Sequence, residues 1–146
     1  MAWTPAKCAK TTPQTTPNVV NNADPAVITF DDGDESAYTI AYPIMKQYGL
    51  VGTVYVVLAW IGTPGYLTLA QLTEMHNAGW TIADHTWDHT WLQGLTNAQI
   101  TNKIQQAINW FNSNGFSDGA YQLAYPYGAY DNTVLQVCKQ LGIKTA

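Results

Sequence analysis

The chain alternates short apolar runs with longer stretches of helical periodicity, and this alternation limits the folds open to it more than any other feature. Three runs rich in Val, Ile and Thr predict buried strands, at residues 26–30, 52–58 and 80–83. Apolar spacing predicts helices at residues 36–48, at 68–78 and from Thr96 through Phe111. Strands separated by helices of this length pair in parallel through right-handed crossovers, so the pattern predicts an α/β fold.

The same pattern continues to residue 146 and sets the size of the fold. A fourth strand is predicted at 121–124, a fourth helix from Asn132 to Leu141 and a fifth strand from Ile143. A closed eight-unit barrel usually needs ~250 residues. The 146 residues therefore predict a partial (β/α) barrel of about four to five parallel strands with helices outside. Residues 1–24, rich in Thr, Pro and Asn, are expected to form a tail or linker, which leaves 25–146 as one domain.

Composition excludes several classes of partner. Only 6 Lys and Arg stand against 10 Asp and Glu, so we expect no binding to nucleic acid or to anionic membranes. No run approaches the ~20 apolar residues of a membrane span. The start lacks a signal-peptide pattern, so we expect an intracellular protein or one whose signal has been removed. Cys8 and Cys138 allow one disulfide and leave the redox compartment open.

The low content of charged residues, 11%, favours a neutral ligand. Thr, Asn, Gln, Trp and Tyr must supply much of the polar surface, and these side chains suit a hydroxyl-rich molecule such as a sugar. The alternative is that the Tyr and Trp residues simply fill the core.

Two adjacent carboxylates, Asp31 and Asp32, follow the first predicted strand. Ionised carboxylates at such a position need a partner or a metal, because an unpaired buried charge is costly. The alternative is an Asp-Gly turn in which Asp34 or Ser36 caps the next helix.

Two histidines, His85 and His89, follow the third predicted strand at a spacing of four residues. That spacing lets two imidazoles meet one ion, although it also fits two surface histidines at the start of a helix. His76 falls on the second predicted helix without a partner, and we expect it at the surface.

A third element, Tyr125-Pro126-Tyr127-Gly128, follows the fourth predicted strand and is either a plain turn or a segment that presents backbone amides to a site. All three elements lie at the carboxyl ends of parallel strands, where folds of this kind build their sites. One carboxylate and two imidazoles suit a divalent metal, zinc first, with cobalt, nickel or manganese as alternatives. A non-haem iron oxygenase uses the same ligand types, but the strand pattern and the second Asp fit it poorly.

The motifs resemble those of the polysaccharide deacetylase family, also called the NodB homology domain or carbohydrate esterase family 4. The resemblance covers Val27 to Ala146. Phe-Asp-Asp-Gly at 30–33 resembles the first family motif, and His-Thr-Trp-Asp-His at 85–89 resembles the second. Tyr-Pro-Tyr-Gly at 125–128 follows in the expected order.

The resemblance implies a hydrolase that removes acetyl groups, as O-acetyl esters or N-acetyl amides, from chitin oligosaccharides, peptidoglycan or acetylxylan. It implies that Asp31 is the general base and that a metal is held by Asp32, His85 and His89. Thr86 would steady the loop, and the Tyr127 amide would stabilise the oxyanion. Substrate contacts are expected from Trp87, Tyr125 and Pro126. The resemblance also favours a secreted or cell-envelope location.

The chain departs from the family pattern in two places. Ala124 stands where the third motif usually has an Arg that orients the base, although some family branches also have Ala-Tyr-Pro-Tyr-Gly. The later Asp-Trp and Leu-x-His segments, whose His is the general acid, fall beyond residue 146. Asp88 and Tyr127 are the candidates to replace that acid. Esters should suffer less than amides from its loss, because an amine needs protonation to leave.

Two further hypotheses follow from the sequence. The first is a non-catalytic carbohydrate-binding relic of the same fold, with a groove lined by Trp87, Trp91 and Tyr125. The second is a homodimer, because a half-barrel is expected to leave apolar strand residues uncovered. Those residues are Val27, Ile28, Val54, Val56 and Ile82.

Overall fold

The fold is built on a parallel sheet, as the alternation of strands and helices predicts. The structure is a computed structural model and describes residues 26–146. Its sheet has three strands in sequential order, β1 (Thr29–Phe30), β2 (Thr53–Val56) and β3 (Thr81–Asp84). Both pairings are parallel. The predicted tail and Cys8 lie outside the described residues.

The fourth and fifth predicted strands are reduced to single bridges that continue the sheet in the same order. Leu123 pairs in parallel with Asp84, and Thr145 pairs in parallel with Gln122. The Leu123 N–H donates to the Thr145 carbonyl at 2.9 Å. The sheet therefore has five parallel positions and stays open, which is a partial barrel.

Four α-helices cover the sheet: α1 (Tyr42–Gln47), α2 (Leu69–Asn77), α3 (Asn97–Ser113) and α4 (Asn132–Leu141). A π-helical stretch, Ala37–Ala41, precedes α1, so the predicted first helix begins with a widened turn. Short 3₁₀ turns lie at Leu58–Trp60 and Pro126–Gly128.

The predicted helix ends agree closely with the structure. Thr96 caps α3 in a capping box with Gln99, and Thr68 caps α2 in the same way with Gln71. Gly79 and Gly115 lie just beyond the ends of α2 and α3, directly after the C-cap residues Ala78 and Asn114, and both have positive φ, as expected for glycines after a helix.

The core occupies the space between the sheet and the helices. Val54, Val56 and Ile82 are at most 1% exposed, so the expectation that they lie uncovered is wrong. They pack in one cluster with residues of α2 and α3, including Leu72, Met75 and Phe111. Val27, at 76% exposure, and Ile28, at 39%, are uncovered as expected. Within residues 26–146 no helix combines the length and the apolar character needed to cross a membrane.

Candidate metal centre

Asp32 reaches the site from the turn that follows β1. Its backbone is left-handed, with φ 68°, a conformation that costs energy in a residue other than glycine. The next residue, Gly33, also has positive φ, and an added Cβ would come within 3.1 Å of the Val56 side chain. The turn therefore packs tightly on β2, and this fixes where the Asp32 carboxylate lies.

His85 follows β3 directly and is buried. Its backbone N–H donates to the Val56 carbonyl at 3.1 Å. Its Nδ1 lies 2.8 Å from the carbonyl oxygen of Ala124. Because a carbonyl only accepts, Nδ1 carries the proton, and the Nε2 lone pair is left free to bind a cation.

His89 is held by a loop that is tied to two other elements. The carbonyls of Thr86 and Trp87 accept hydrogen bonds from the N–H groups of Leu58 and Ala59, in the segment after β2. Asp88 forms an ion pair with Lys103 of α3 at 2.8 Å. His89 itself has φ 56°, so the loop turns sharply at this histidine.

The three side chains converge on one point. Asp32 Oδ1 lies 3.2 Å from His85 Nε2 and 3.3 Å from His89 Nε2. One ligand atom from each residue lies within 4.8 Å of the other two. A carboxylate oxygen and two imidazole nitrogens, one of them with its tautomer already fixed, form a donor set that suits a divalent metal.

The electrostatics of the cluster favour the neutral form of His89. Burial lowers the pKa of His89, and the proximity of His85 lowers it further, while the carboxylates of Asp32 and Asp31 oppose the shift. A neutral imidazole is the form that binds metals. Asp31 is exposed and stands outside the three-residue cluster, yet its charge acts on His89.

Asp84, the last residue of β3, is a buried carboxylate next to this cluster that sequence reasoning missed. Burial raises its pKa to about 7 against a hydrogen bond from the backbone of Thr86 that lowers it. The Thr86 N–H donates to Asp84 Oδ1 at 2.7 Å. Asp84 Oδ2 and Thr86 Oγ1 are buried without a hydrogen-bond partner among the described residues. The only sequence signal for Asp84 was its position directly after the apolar strand predicted at 80–83 and directly before His85.

Comparison with known proteins identifies the family. The model of the family described as polysaccharide deacetylase matches residues 18–146. The chain belongs to the polysaccharide deacetylase family. The motifs that resemble those of the family therefore occur in a chain that belongs to it. The three segments that carry them lie side by side at one end of the sheet.

Curated relatives of this deacetylase domain are considerably longer than it is. A putative polysaccharide deacetylase of Bacillus subtilis, YxkH, is 35% identical over 116 residues, covering 80% of this chain and 41% of the relative. A poly-beta-1,6-N-acetyl-D-glucosamine N-deacetylase of Staphylococcus aureus is 30% identical over 131 residues, covering 80% of this chain and 45% of the relative. The chain thus spans less than half the length of these relatives.

Solved structures of the family share the fold. The Streptococcus pyogenes deacetylase PplD, in complex with acetate, has a TM-score of 0.75 at 31% identity, covering 84% of this chain and 57% of that chain. A family 4 carbohydrate esterase from Streptomyces lividans has a TM-score of 0.69 at 21% identity, covering 82% of this chain and 60% of that chain.

The other residues expected at the deacetylase site fall into two groups. Tyr127 lies beside the cluster, with its ring centroid 4.6 Å from that of His89 and a left-handed backbone at φ 61°. Trp87, Tyr125 and Pro126 are partly or fully buried. Trp87 packs against the core, and Tyr125 contacts Tyr130 in a tilted arrangement with ring centroids 5.3 Å apart.

His76, expected at the surface, is partly buried on α2, where its Nδ1 lies 3.3 Å from the Trp80 carbonyl oxygen.

Proposed function

We propose that this chain is a metal-dependent hydrolase that removes acetyl groups from a carbohydrate. One observation carries the proposal: a single Asp32 oxygen lies between the Nε2 atoms of His85 and His89. Metal-binding geometry by itself would fit several chemistries. Membership of the polysaccharide deacetylase family favours the removal of acetyl groups among them.

The residues of the chain take distinct roles in this proposal. Asp32, His85 and His89 would hold the metal, with zinc first because the donors are nitrogen and oxygen. A metal held there would supply Lewis-acid polarisation of the acetyl carbonyl and would lower the pKa of water. Asp31, exposed beside the cluster, accepts the proton of the attacking water.

Tyr127 supplies a hydrogen-bond donor from its backbone. The N–H group of Tyr127 makes no hydrogen bond to another described residue, whereas its neighbour Gly128 donates to Tyr125. A free amide at this place can donate to the acetyl oxygen as negative charge develops there. The left-handed conformation of Tyr127 turns the segment at this amide.

The proton donor for the leaving group decides which acetyl bond is cleaved. Asp88 is a poor candidate, although burial acts to raise its pKa. Hydrogen bonds from Lys103 and Thr90 outweigh that effect and lower the pKa of Asp88, so it is ionised at neutral pH. When no strong donor is supplied by residues 26–146, an alcohol leaves more readily than an amine. We therefore expect this chain of 146 residues to cleave O-acetyl esters faster than N-acetyl amides.

The substrate class is proposed from the relatives. The Staphylococcus aureus relative is named as a poly-beta-1,6-N-acetyl-D-glucosamine N-deacetylase, which makes oligomers of N-acetylglucosamine the first amide to test. Acetylated xylan is the matching ester.

Acetate release from these two substrates, with zinc added, tests the proposal. Asp31→Asn should lower turnover about 100-fold or more while bound metal is unchanged, because only the proton acceptor is lost. Asp34→Asn is the matched control, since Asp34 is an exposed carboxylate in the same turn whose Oδ1 accepts from the Ser36 N–H. Loss of metal in Asp31→Asn with retention in Asp32→Asn would reverse the two roles. Sugar binding without acetate release from any substrate would favour the non-catalytic alternative.

We also propose that the 146-residue chain forms a homodimer. The support is the open sheet, whose β1 edge and Thr145 edge have no further strand among the described residues, together with the exposed Val27 and Ile28.

A further inference from the structure

A contiguous series of rings runs across the candidate metal centre. Its members are Tyr66, Trp60, His89, Tyr127 and Trp91, and we refer to them as the aromatic row. Successive ring centroids are 4.8, 5.1, 4.6 and 5.3 Å apart. The row is assembled from three separate segments, those after β2, after β3 and after Leu123, with the metal-ligating His89 as its middle member.

The two rings at one end of the row are exposed. Trp91 is 50% exposed and Tyr127 is 65% exposed, although they stack on each other with an interplanar angle of 26°. Trp60 and Tyr66, at the other end, are partly exposed. Aromatic residues that serve the core of this protein are instead buried, as Trp80 is at 2%. Core packing therefore does not account for Trp91 and Tyr127, and clustered exposed aromatic surface marks a binding site.

The backbone supports the same interpretation. Tyr127 has φ 61°, in the left-handed region where a residue with a Cβ is strained. The Leu92 side chain, next to Trp91, is fully buried and anchors the loop that presents the indole. The loop and the strained turn thus fix the positions of the Trp91 and Tyr127 rings although both are exposed to solvent.

We propose that the aromatic row is the platform on which a neutral carbohydrate chain lies across the metal centre, and that Trp91 is a specificity-determining contact for sugar units beyond the acetylated one. This inference deepens the proposed function and rests on it for the identity of the acetylated unit. A pyranose presents C–H groups on its faces, and these pack against the electron-rich face of an indole or phenol ring.

Charge selects the class of polymer. The four aromatic residues that flank His89 are Trp and Tyr, which bring no formal charge to the row, and the carboxylates of Asp31 and Asp32 lie near its centre. In the metal-free protein these carboxylates would repel an anionic polysaccharide, so the row favours an uncharged chain.

The position of Trp91 predicts a dependence on chain length. The Trp91 indole does not contact His89 in the row, because the Tyr127 ring lies between them. A single sugar unit at the metal would reach Tyr127, whereas a longer chain would also cover Trp91. Binding should therefore strengthen from the monomer to the hexamer of N-acetylglucosamine.

The platform is tested without any turnover by measuring, with calorimetry, how these oligomers bind to the metal-free protein. Trp91→Ala should weaken hexamer binding roughly tenfold, the equivalent of one good aromatic contact, and should abolish the gain in affinity with length. Trp91→Phe should restore most of it. Tyr48→Ala, which removes an aromatic ring that is 74% exposed after α1, is the matched control and should bind as the wild type does.

The outcomes separate this inference from the proposed function. Equal hexamer affinity in the wild type and Trp91→Ala overturns the role of Trp91, whether or not acetate is released. Length-dependent binding that needs Trp91, with no acetate released from any substrate, supports the platform and contradicts the hydrolase. Equal binding of an anionic hexamer, such as oligogalacturonate, would overturn the selection for neutral chains.

Discussion

At the scale of single residues, backbone strain is concentrated at the candidate centre. Four residues other than glycine have positive φ in the described part of the chain: Asp32, Thr86, His89 and Tyr127. Two of them belong to the three-residue cluster and the other two lie beside it. Such conformations cost of order 1–3 kcal/mol each and persist where the surrounding structure over-determines them. The concentration indicates that this backbone is shaped for a site rather than for stability.

Replacing one imidazole at a time should distinguish the histidines of the cluster, which are expected to bind metal, from His76, which lies outside the cluster. His85→Ala is expected to weaken zinc binding about 100-fold or more, because a ligand whose tautomer is fixed by Ala124 is lost. His76→Ala is the control, since His76 lies outside the cluster. Calorimetric titration with zinc measures both variants. Unchanged affinity in His85→Ala would show that the site is misassigned.

At the scale of elements, α3 and the start of α4 fix the loops around the centre. Lys103 of α3 holds Asp88 next to His89. Asp131 caps α4 by accepting from the Val134 N–H at 3.0 Å, and its other oxygen accepts from the Gly94 N–H at 2.9 Å. One carboxylate thus connects the start of a helix to the loop that follows the aromatic Trp91.

The Asp131 cap should make stability depend on pH. Hydrogen bonds from the backbone of Val134 and Gly94 lower the pKa of Asp131 in the folded state. A lowered pKa contributes stability that is complete above the unfolded value, about 4. That contribution is lost as the pH falls through the folded value.

Asp131→Asn removes the titration but keeps an oxygen that can cap the helix. The urea midpoint of this variant should therefore fall less than that of the wild type between pH 7 and pH 3. Equal falls in the two proteins would show that Asp131 does not contribute to acid sensitivity.

At the scale of the whole molecule, the sheet is open at both edges. Among residues 26–146, β1 pairs only with β2, and the last bridge, at Thr145, has no neighbour on its far side. The curated relatives are more than twice as long as the matched region, which leaves room for further strands in them. An open edge leaves backbone groups unpaired, and a further polypeptide segment can cover them.

A second copy of the chain is the simplest cover. We expect light scattering at micromolar concentration to give the mass of two 16.1 kDa chains. Val27→Lys, which places a charge on the exposed residue beside β1, should shift the protein toward the monomer. A wild-type protein that is well folded and persistently monomeric would contradict the dimer.

Local pattern determined much of this protein in advance. The parallel α/β organisation, the bounds of α4 and the caps at Thr96 and Gly115 all follow from neighbouring residues, because capping and periodicity act within a few positions. The grouping of Asp32, His85 and His89 was also predictable, since the carboxyl ends of parallel strands meet at one edge of a sheet.

Only the tertiary structure decided which strand residues are buried, how long the last strands are, which tautomer His85 adopts and which rings form the aromatic row. Each of these features depends on contacts between segments that are distant along the chain. Helices bury Val54, Val56 and Ile82, and the fourth and fifth strands shrink to single bridges. Ala124, 39 residues away, sets the tautomer of His85. The aromatic row joins rings from three segments. The sequence had indicated Trp91 and Tyr127 for the site, but not Trp60 and Tyr66. Apolar spacing shows that a ring is present, but its burial depends on what packs against it.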